Sequence, residues 1–511
     1  MFYFIIKPIV FSEGGSLKKN NSKVSREKET KEEKYLLYDT NEKPPIGKWI
    51  FLAIQHVFAM FGATILVPIL VNAAAGAEVL TIPVALVASG IGTLIYILCT
   101  KGKSPVYLGS SFAFITPIAV AYMKGGTSGF VTGIVGVGII YVLFAILIKC
   151  FGKKWIDKLL PTIVIGPMIM IIGLSLAPSA VSQVGLVSET IEAEKELVCD
   201  EGYTLTDATC VKEKEVVEAK EKLYCVEGYS LVDGACNKDF PWKNVIVALV
   251  AFLVTGIVAI AGKGFIKIIP FLVGIVSGYI MAVILGMIDF TPVKEASFFS
   301  LPKFLLIGKD YTFNLSGLLT IAPIALVTIA EHIGDHMALS TIIKKDLLKK
   351  PGLERTLLGD GLATAVAGLI GGPANTTYGE NTSVVGMTKV GSVWVIGLAA
   401  IIAICMGFLG KLTALISTIP GAVLGGVSLL LYGFIAVNGL KALVDNRVDF
   451  SNTRNIIIVS TMLVLGLGGA VISFTLGNAN IAFTGMSLAA IIGIILNLVL
   501  PGKDVPVYKK D

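Results

Sequence analysis

Residues 371–383 read GGPANTTYGENTS, a polar stretch with one carboxylate between long apolar runs. In a soluble protein its Gly and Pro residues would indicate an ordinary surface loop. Here the stretch lies where a membrane-spanning helix should pass, because the apolar pattern continues on both sides of it. We therefore interpret it as an interrupted membrane span and as the strongest indication of function.

The composition indicates an integral membrane protein. Of the 511 residues, 54% are hydrophobic and only 15% are charged, whereas a soluble surface carries more charge. Apolar runs of roughly 20 residues, each able to cross about 30 Å of hydrocarbon, recur from Trp49 to Leu500. We predict an all-α polytopic protein in contact with membrane lipid, and the net charge of +6 does not indicate a nucleic-acid partner. About fourteen spans are predicted, near 50–71, 79–99, 111–123, 127–149, 159–184, 243–261, 266–288, 315–338, 356–371, 379–390, 392–410, 421–441, 454–475 and 482–500.

The distribution of Lys and Arg predicts the orientation. Basic residues cluster in every second connection, whereas alternate connections such as 72–78 and 476–481 have none. The connection 289–314 departs from this pattern, since it contains three lysines. By the positive-inside rule both termini are cytoplasmic and the number of spans is even. We expect a multi-pass protein of the cell (plasma) membrane with cytoplasmic tails at 1–48 and 501–511.

The connection 186–242 is predicted to be extracellular and contains a tandem repeat. It has 14 acidic residues and 6 lysines, and residues 199–210 match residues 225–236 at an offset of 26. Four cysteines allow three pairings, and the repeat favours one disulfide in each copy, Cys199–Cys210 and Cys225–Cys236. A metal site is the less favoured alternative, because the spacing is not that of a zinc pair and no His is near. The insert divides the spans into residues 49–185 (spans 1–5) and 243–500 (spans 6–14).

A second interrupted segment, SPVYLGSSFAF at 104–114, matches the first. Aligned on Pro105 and Pro373, the two lie 268 residues apart, and Phe112 falls opposite Glu380. Each has the pattern of a short extended piece followed by a short helix, and the two run in opposite directions across the membrane. Interrupted spans at matching positions of two oppositely oriented halves are typical of inverted-repeat transporters.

Extended backbone at membrane depth needs partners for its N–H and C=O groups. We therefore predict that residues 105–110 and 373–378 pair as two short antiparallel strands near the midplane, in the interrupted spans 3 and 10. The N-termini of both half-helices then point into one site. Their N–H groups can bind a ligand that carries carbonyl groups.

The segment AEHIGDH at 330–336 places ionisable residues inside span 8. Glu331 falls near the midplane and shares a helical face with Asp335. An ionisable residue at that depth is costly unless it is paired or protonated, so it is a functional candidate. Structural alternatives are hydrogen bonds to neighbouring groups for Glu331, His332 and His336, helix capping for Glu380, and a packed interhelical hydrogen bond for His56, which we favour over a ligand contact.

Together these segments resemble the nucleobase–ascorbate (nucleobase:cation symporter-2) transporters and, within that family, the bacterial uracil permeases. The resemblance covers nearly the whole chain from about residue 46 to 500, apart from the Cys insert. The matching segments are QHVFAMFGAT (55–64), YLGSSFAF (107–114), AEHIG (330–334), PANTTYGEN (373–381) and GVSLLLYG (426–433).

The resemblance implies fourteen spans arranged as a 7+7 inverted repeat. A core domain would comprise spans 1–4 and 8–11, and a gate domain spans 5–7 and 12–14. By position, Glu331 and Glu380 would hold a pyrimidine, the backbone N–H groups of Phe112 and Gly379 would face its carbonyls, and the Phe112 ring would wall the base. Supporting positions are Ser111, Tyr378, Asn381, Asp335, His332, His56 and Tyr432.

Two positions depart from the family pattern. Ser383 stands in place of the Gly of the family signature, which Glu380, Asn381, Thr388 and Lys389 otherwise fit. Asp335 stands where some uracil permeases have a His, so a His role in proton coupling does not transfer to it.

The chemistry of these residues suits uracil, which alternates N–H donors with C=O acceptors. Carboxylates accept from the former, and half-helix N–H groups donate to the latter. Burial favours the neutral form of a carboxyl group, so one glutamate can take up and release a proton. We assign that proton to Glu331, because the helix terminus stabilises Glu380 as an anion. We expect a proton-coupled uracil importer rather than an enzyme, forming a homodimer, with protons as coupling ion and no metal or other cofactor.

Three alternatives remain open. A xanthine or purine permease would use the same scaffold, although Glu rather than Gln at position 380 favours a pyrimidine. An anion exchanger or channel of the same architecture is less favoured, because an anion site should present Arg or Lys at the half-helices. A non-transporting receptor is the third.

Overall fold

Most of the chain forms helices, because a helix pairs its own backbone N–H and C=O groups where no water can do so. The computed structural model describes residues 35–502, apart from 188–189, 193, 199–203, 207–208, 213–214, 219, 226–228, 233–234, 239, 265 and 477–478. Within the described residues, seven helical stretches are long and apolar enough to cross a membrane. Four shorter apolar helices accompany them, at Pro270–Ile284, Val393–Gly407, Thr453–Leu467 and Gly485–Val499.

The helices before the insert are α1 (Ile46–Ala75), α2 (Ile82–Cys99), a 3-10 turn (Phe112–Phe114), α3 (Ile115–Phe151), α4 (Lys154–Leu159), α5 (Thr162–Ser175) and α6 (Ala177–Val184). Those after it are α7 (Trp242–Ala261), a 3-10 turn (Ile266–Ile268), α8 (Pro270–Ile284), α9 (Thr291–Glu295), α10 (Leu315–Ile321), α11 (Ile324–Ile343), a π-type turn (Leu348–Gly352), α12 (Leu353–Leu369), α13 (Gly379–Thr388), α14 (Val393–Gly407), α15 (Gly410–Ser417), α16 (Gly421–Asp445), α17 (Thr453–Leu467) and α18 (Gly485–Val499). The strands are β1 (Leu108–Ser110), β2 (Thr190–Glu192), β3 (Glu194–Val198), β4 (Thr204–Thr206), β5 (Thr209–Lys212), β6 (Glu215–Glu218), β7 (Lys220–Tyr224), β8 (Tyr229–Val232), β9 (Ala235–Lys238), β10 (Asn375–Thr377), β11 (Ile472–Leu476) and β12 (Ala479–Phe483).

Helix α3 is divided within its length at Gly126. The backbone there has φ 58° and ψ −153°, a conformation that glycine adopts without the steric cost of a side chain. The break separates a short half-helix after Phe114 from a long helix that ends at Phe151. These two parts occupy the predicted spans 3 and 4.

The two interrupted segments meet as a pair of antiparallel strands. Strand β1 pairs with β10 so that Leu108 lies opposite Thr377 and Ser110 lies opposite Asn375. Side chains bond the outer edges of the ribbon: Thr93 accepts from the N–H of Leu108 (2.9 Å), and Thr364 donates to the carbonyl of Asn375 (2.6 Å). Because these edge groups are paired, extended backbone can lie inside the protein between apolar helices.

Gly109, in the middle of β1, lies directly against the ring of Tyr378, and a Cβ there would overlap that ring. The ring cannot move aside easily, because its hydroxyl donates to the carbonyl of Ser110 (3.0 Å). We expect Gly109→Ala to destabilise the fold by about 1–3 kcal/mol through overpacking and to lower the thermal unfolding midpoint. The control is Gly47→Ala, whose Cβ would meet nothing within 4 Å. Equal midpoints for the two variants would contradict the strand packing.

The structure has strands beyond the two that were expected, in two places. Strands β11 and β12 form an antiparallel hairpin, with Ile472 opposite Phe483, where spans 454–475 and 482–500 were expected. Helix α17 therefore stops at Leu467, and Gly469 follows at φ 68°. The β-branched and aromatic residues of this hairpin are apolar enough to resemble the end of a membrane helix, although they favour a strand.

The insert is also built of strands. Its sheets have the orders β2–β9–β8, β3–β7 and β4–β5–β6, all antiparallel. A disulfide joins Cys225 to Cys236, as expected for the second copy of the repeat. The expected Cys199–Cys210 pairing involves Cys199, which lies outside the described residues.

The helices pack in two groups. In one group α12 packs on α2 and α3, α10 packs on α3, and α14 packs on α1 and α2. In the other, α16 packs on α5 and α7, α7 on α8, and α17 on α5 and α18. Contacts of α11 with α5 and α18, and of α1 with α8, connect the groups. The paired strands lie in the first group, next to α11 and α13.

Candidate functional site

A cavity of about 320 Å³ lies beside the paired strands, between α1, α8, α11, α13 and α16. This volume is at the lower end of the range of roughly 300–1,000 Å³ that small-molecule sites occupy. Of the residues singled out from the sequence, those on its wall are Ser111, Phe112, Glu331, Asp335, Tyr378, Gly379, Glu380 and Ser383. Folding therefore brings together residues from three distant segments of the chain.

Helix α11 contributes two carboxyl groups to the cavity, Glu331 and, one turn later, Asp335. The Oε2 atom of Glu331 is buried and has no hydrogen-bond partner among the described residues. The neighbouring His332 does not supply one, since its two ring nitrogens contact Asp360 and Thr356. A buried acceptor without a partner is costly, so Glu331 is well placed to receive a donor from a ligand.

Helix α13 begins at the cavity, directly after β10. Its first residues are Gly379 and Glu380, and the first N–H groups of a helix have no partner within the helix. Tyr378 fixes this start, because its hydroxyl contacts Ser110 O (3.0 Å) and Thr64 Oγ1 (3.1 Å). A Cβ on Gly379 would lie 3.9 Å from the Oδ1 atom of Asp335, so the start of α13 faces the carboxyl groups of α11.

Three of the expected supporting residues lie behind the cavity wall. The side-chain amide of Asn381 donates to the carbonyl of His56 (3.0 Å) and lies 3.1 Å from its Nδ1 atom, which ties α13 to α1. This is the packed interhelical hydrogen bond that the sequence favours for His56. Tyr432 packs edge-on against the ring of Phe112, with centroids 6.1 Å apart, and so holds Phe112 at the cavity.

A buried polar network connects the strands to α11 and α12. The Nδ1 atom of His332 lies 2.7 Å from Asp360 Oδ2, and its Nε2 atom lies 2.9 Å from Thr356 Oγ1. Thr377 of β10 donates to the same carboxyl oxygen of Asp360 at 3.4 Å. His336 stacks on His332 at 3.9 Å and contacts the Tyr96 hydroxyl at 2.6 Å. His332, one of the expected supporting residues, therefore lies one layer behind the cavity and contacts Asp360 and Thr356 instead.

Asp360 was not among the functional candidates predicted from the sequence, although its position in a membrane span could have indicated it. It is an ionisable residue inside the predicted span 356–371, and the rule that singled out Glu331 applies to it equally. The side chains of Asp360 and His332 are both fully buried. A single hydrogen bond joins Nδ1 of His332 to this carboxyl group.

We expect Asp360→Ala to destabilise the protein by about 1–3 kcal/mol, because it leaves a buried ring nitrogen of His332 without its hydrogen-bond partner. The measurement is the thermal unfolding midpoint, with the exposed Asp445→Ala as control. In a His332→Ala background the same substitution should cost clearly less, since coupled partners are not additive. Equal costs in both backgrounds would contradict the pairing.

Most of the ionisable side chains around the cavity are acidic. Three carboxyl groups line it, and Lys267 is the single basic side chain among the described lining residues. No Arg or Lys within the described part of the chain stands at the start of the 3-10 turn at Phe112 or of α13. The site is therefore equipped to accept hydrogen bonds from N–H groups rather than to hold an anion.

Comparison with known proteins gives the family. A permease family matches residues 47–206 and 225–474. The chain belongs to this permease family. A uracil permease of Bacillus subtilis is 44% identical over 460 residues, covering 90% of this chain and 94% of the relative. A uracil permease of Bacillus caldolyticus is 42% identical over 467 residues, covering 91% and 95%.

The fold has a counterpart among solved structures. The murine anion transporter Slc26a9, in its inward-facing state, superposes with a TM-score of 0.58 at 12% identity, covering 90% of this chain and 69% of the other. At that identity the likeness concerns the fold alone.

These findings confirm the resemblance to the nucleobase:cation symporter-2 family that the motifs indicated. The chain is a multi-pass membrane protein, and it is a transport protein rather than an enzyme.

Proposed function

We propose that this chain imports uracil across the cell membrane in symport with protons. Two relatives named as uracil permeases, at 44% and 42% identity, support the substrate. The observation that carries the proposal is that Glu331 and Glu380, from two different helices, line one cavity together with the backbone start of α13.

The donors and acceptors of this site complement those of uracil. Glu331 and Glu380 accept hydrogen bonds from the ring N–H groups, which are neutral donors. The N–H groups at Phe112 and at Gly379 donate to the two carbonyl oxygens, and the ring of Phe112 covers the flat face of the base. A base that lacks one of these groups leaves a buried partner unpaired, which gives the site its selectivity.

Proton coupling is assigned to Glu331. Its Oε2 atom has no protein partner in the described part of the chain, whereas the positive end of α13 favours the charged form of Glu380. Protonation of Glu331 lowers the cost of burying it, so substrate and proton bind together and leave together. Protons are then the coupling ion, and no other cofactor is required.

Alternating access explains how the cavity reaches both sides. In the proposed arrangement, fourteen spans form a 7+7 inverted repeat with both termini in the cytoplasm, and the protein is a homodimer. The core domain supplies α11 and α13 to the cavity, and the gate domain supplies α8 and α16. The exposed Lys267, at the predicted cytoplasmic start of the span 266–288, lines the same cavity and supports an inward-facing state.

An uptake assay in proteoliposomes tests the proposal. Radiolabelled uracil should accumulate above equilibrium when the outside is acidic, and a protonophore should abolish the accumulation. Unlabelled uracil should compete, whereas xanthine, adenine and ascorbate should not. Accumulation that survives the protonophore would overturn proton coupling, and competition by xanthine in place of uracil would favour the purine permease.

A further inference from the structure

Residues Leu36–Lys43, expected to belong to a cytoplasmic tail, lie against the link between α13 and α14 and include a turn in which the N–H of Glu42 donates to the carbonyl of Asp39 (3.0 Å). The N–H of Leu37 donates to the carbonyl of Lys389 (2.7 Å), and the N–H of Gly391 donates to that of Tyr38 (2.9 Å). One step further, the N–H of Val393 donates to the carbonyl of Thr40 (3.0 Å). Residues 37–40 therefore pair with the link that follows α13, and Tyr38 forms a parallel β-bridge with Val390.

Side chains fix the same segment to the end of α11. Leu36 is only 6% exposed and belongs to an apolar cluster with Leu339 and Ile343 of α11 and Val385 of α13. Lys345, just beyond α11, donates to the carboxylate of Asp39. Burial raises the pKa of Asp39, but the hydrogen bond from Lys345 and that from the Thr40 backbone outweigh it and hold the pKa below 3.8. The Asp39 carboxylate is therefore charged at neutral pH.

The two helices that carry the cavity carboxyl groups end in the same unusual way. Helix α11 is followed by Lys344 at φ 54°, and α13 by Lys389 at φ 56°. The left-handed region is disfavoured for residues with a side chain, and such residues persist where the surroundings hold them. The segment 36–43 lies at both of these ends.

Helix α13 depends on such support. Its ten residues, GENTSVVGMT, include two glycines and several Thr, Val, Asn and Ser, which are poor helix formers. A helix of this length is marginal by itself and is about 15 Å long. Strand β10 fixes the end that carries Glu380, and the segment 36–43 contacts the other end.

We propose that Leu36–Lys43 is a positioning element of the substrate site. By holding the ends of α11 and α13 together, it fixes the distance between Glu331 and Glu380 across the cavity. The inference rests on the proposed function for its substrate, and its structural part is independent of any substrate.

Two neighbouring residues give a matched test. Leu36→Asp places a charge in the apolar cluster. Leu37→Asp places the same charge on the neighbouring residue of the segment, whose side chain is 59% exposed. The readouts are the Kd for uracil of the purified protein and amide hydrogen exchange of peptides spanning 379–391. Leu36→Asp should weaken binding by about tenfold or more, a loss of roughly 1.4 kcal/mol. It should also speed exchange in α13, and Leu37→Asp should change neither.

A positioning role differs from general destabilisation in its pattern. Leu36→Met keeps an apolar side chain in the cluster and should bind uracil with the wild-type Kd. The double variant Asp39→Lys with Lys345→Asp reverses the ion pair and should bind uracil more tightly than either single variant. If Leu36→Asp does not fold, Leu36→Ala takes its place with a smaller shift in the same direction. A folded variant with unchanged Kd and unchanged exchange overturns the proposal. Wild-type protein that does not bind uracil overturns the proposed function instead, and the exchange comparison still decides the positioning role.

Discussion

Glu331→Gln should abolish uphill uptake of uracil and leave its binding largely in place. Glutamine keeps the size of the side chain and one carbonyl acceptor in the cavity, but it cannot take up a proton. In proteoliposomes, accumulation driven by a pH gradient should fall to the equilibrium level, while exchange of internal for external uracil continues. The purified variant should bind uracil within about tenfold of the wild-type Kd, since a single hydrogen bond is worth about 1 kcal/mol.

The matched control is Glu295→Gln, at an exposed glutamate of α9 outside the cavity, which should accumulate uracil as the wild type does. Proton-driven accumulation by Glu331→Gln would show that another group carries the coupling proton. Asp335, which lines the same cavity one turn away, would then be the next candidate.

Glu380→Ala should weaken uracil binding by roughly 10- to 100-fold. The substitution removes a charged acceptor, and hydrogen bonds to charged groups contribute about 1.5–3 kcal/mol each. It also leaves a ring N–H of the base without a partner in the site. The measurement is the Kd of the purified protein for uracil, and transport should fall in parallel.

Glu380→Gln removes the negative charge but keeps the size of the side chain and one acceptor. It should therefore lose less affinity for uracil than Glu380→Ala. Thermal unfolding midpoints serve as the control for folding, since Glu380 faces the cavity and its loss should hardly alter them. If Glu380→Ala bound uracil as tightly as wild type, the assignment of this carboxylate to the substrate would be wrong.

The sequence predicted the interrupted segments because they violate a strong local rule. Polar, Pro- and Gly-containing stretches stand out within a chain that is otherwise apolar at membrane depth, and the same rule requires their backbone to be paired. That reasoning placed Phe112 opposite Glu380, the family resemblance added Gly379, and all three line the cavity. Glu331 followed from the cost of an ionisable residue at the same depth.

Other features were not predicted, for physical reasons that differ. Asp360 stands out as an ionisable residue inside a span, but its pairing with His332 does not, because the two residues are 28 positions apart. The hairpin of β11 and β12 contains only three polar residues, Ser473, Thr475 and Asn480, so its mean hydropathy does not separate it from the adjoining helix. The docking of Leu36–Lys43 uses mostly backbone groups, which every residue has, and thus leaves no trace in the composition.

By itself, the sequence determined that this chain is a membrane transporter and which carboxylates face the site. Those properties depend on the cost of polar groups in hydrocarbon, which each residue incurs independently of distant partners. The tertiary structure alone decided which polar groups are paired: His332 with Asp360, Asn381 with His56, and the segment 36–43 with the ends of α11 and α13. Pairing depends on distances between residues that lie from 28 to more than 300 positions apart, and no local pattern encodes these distances.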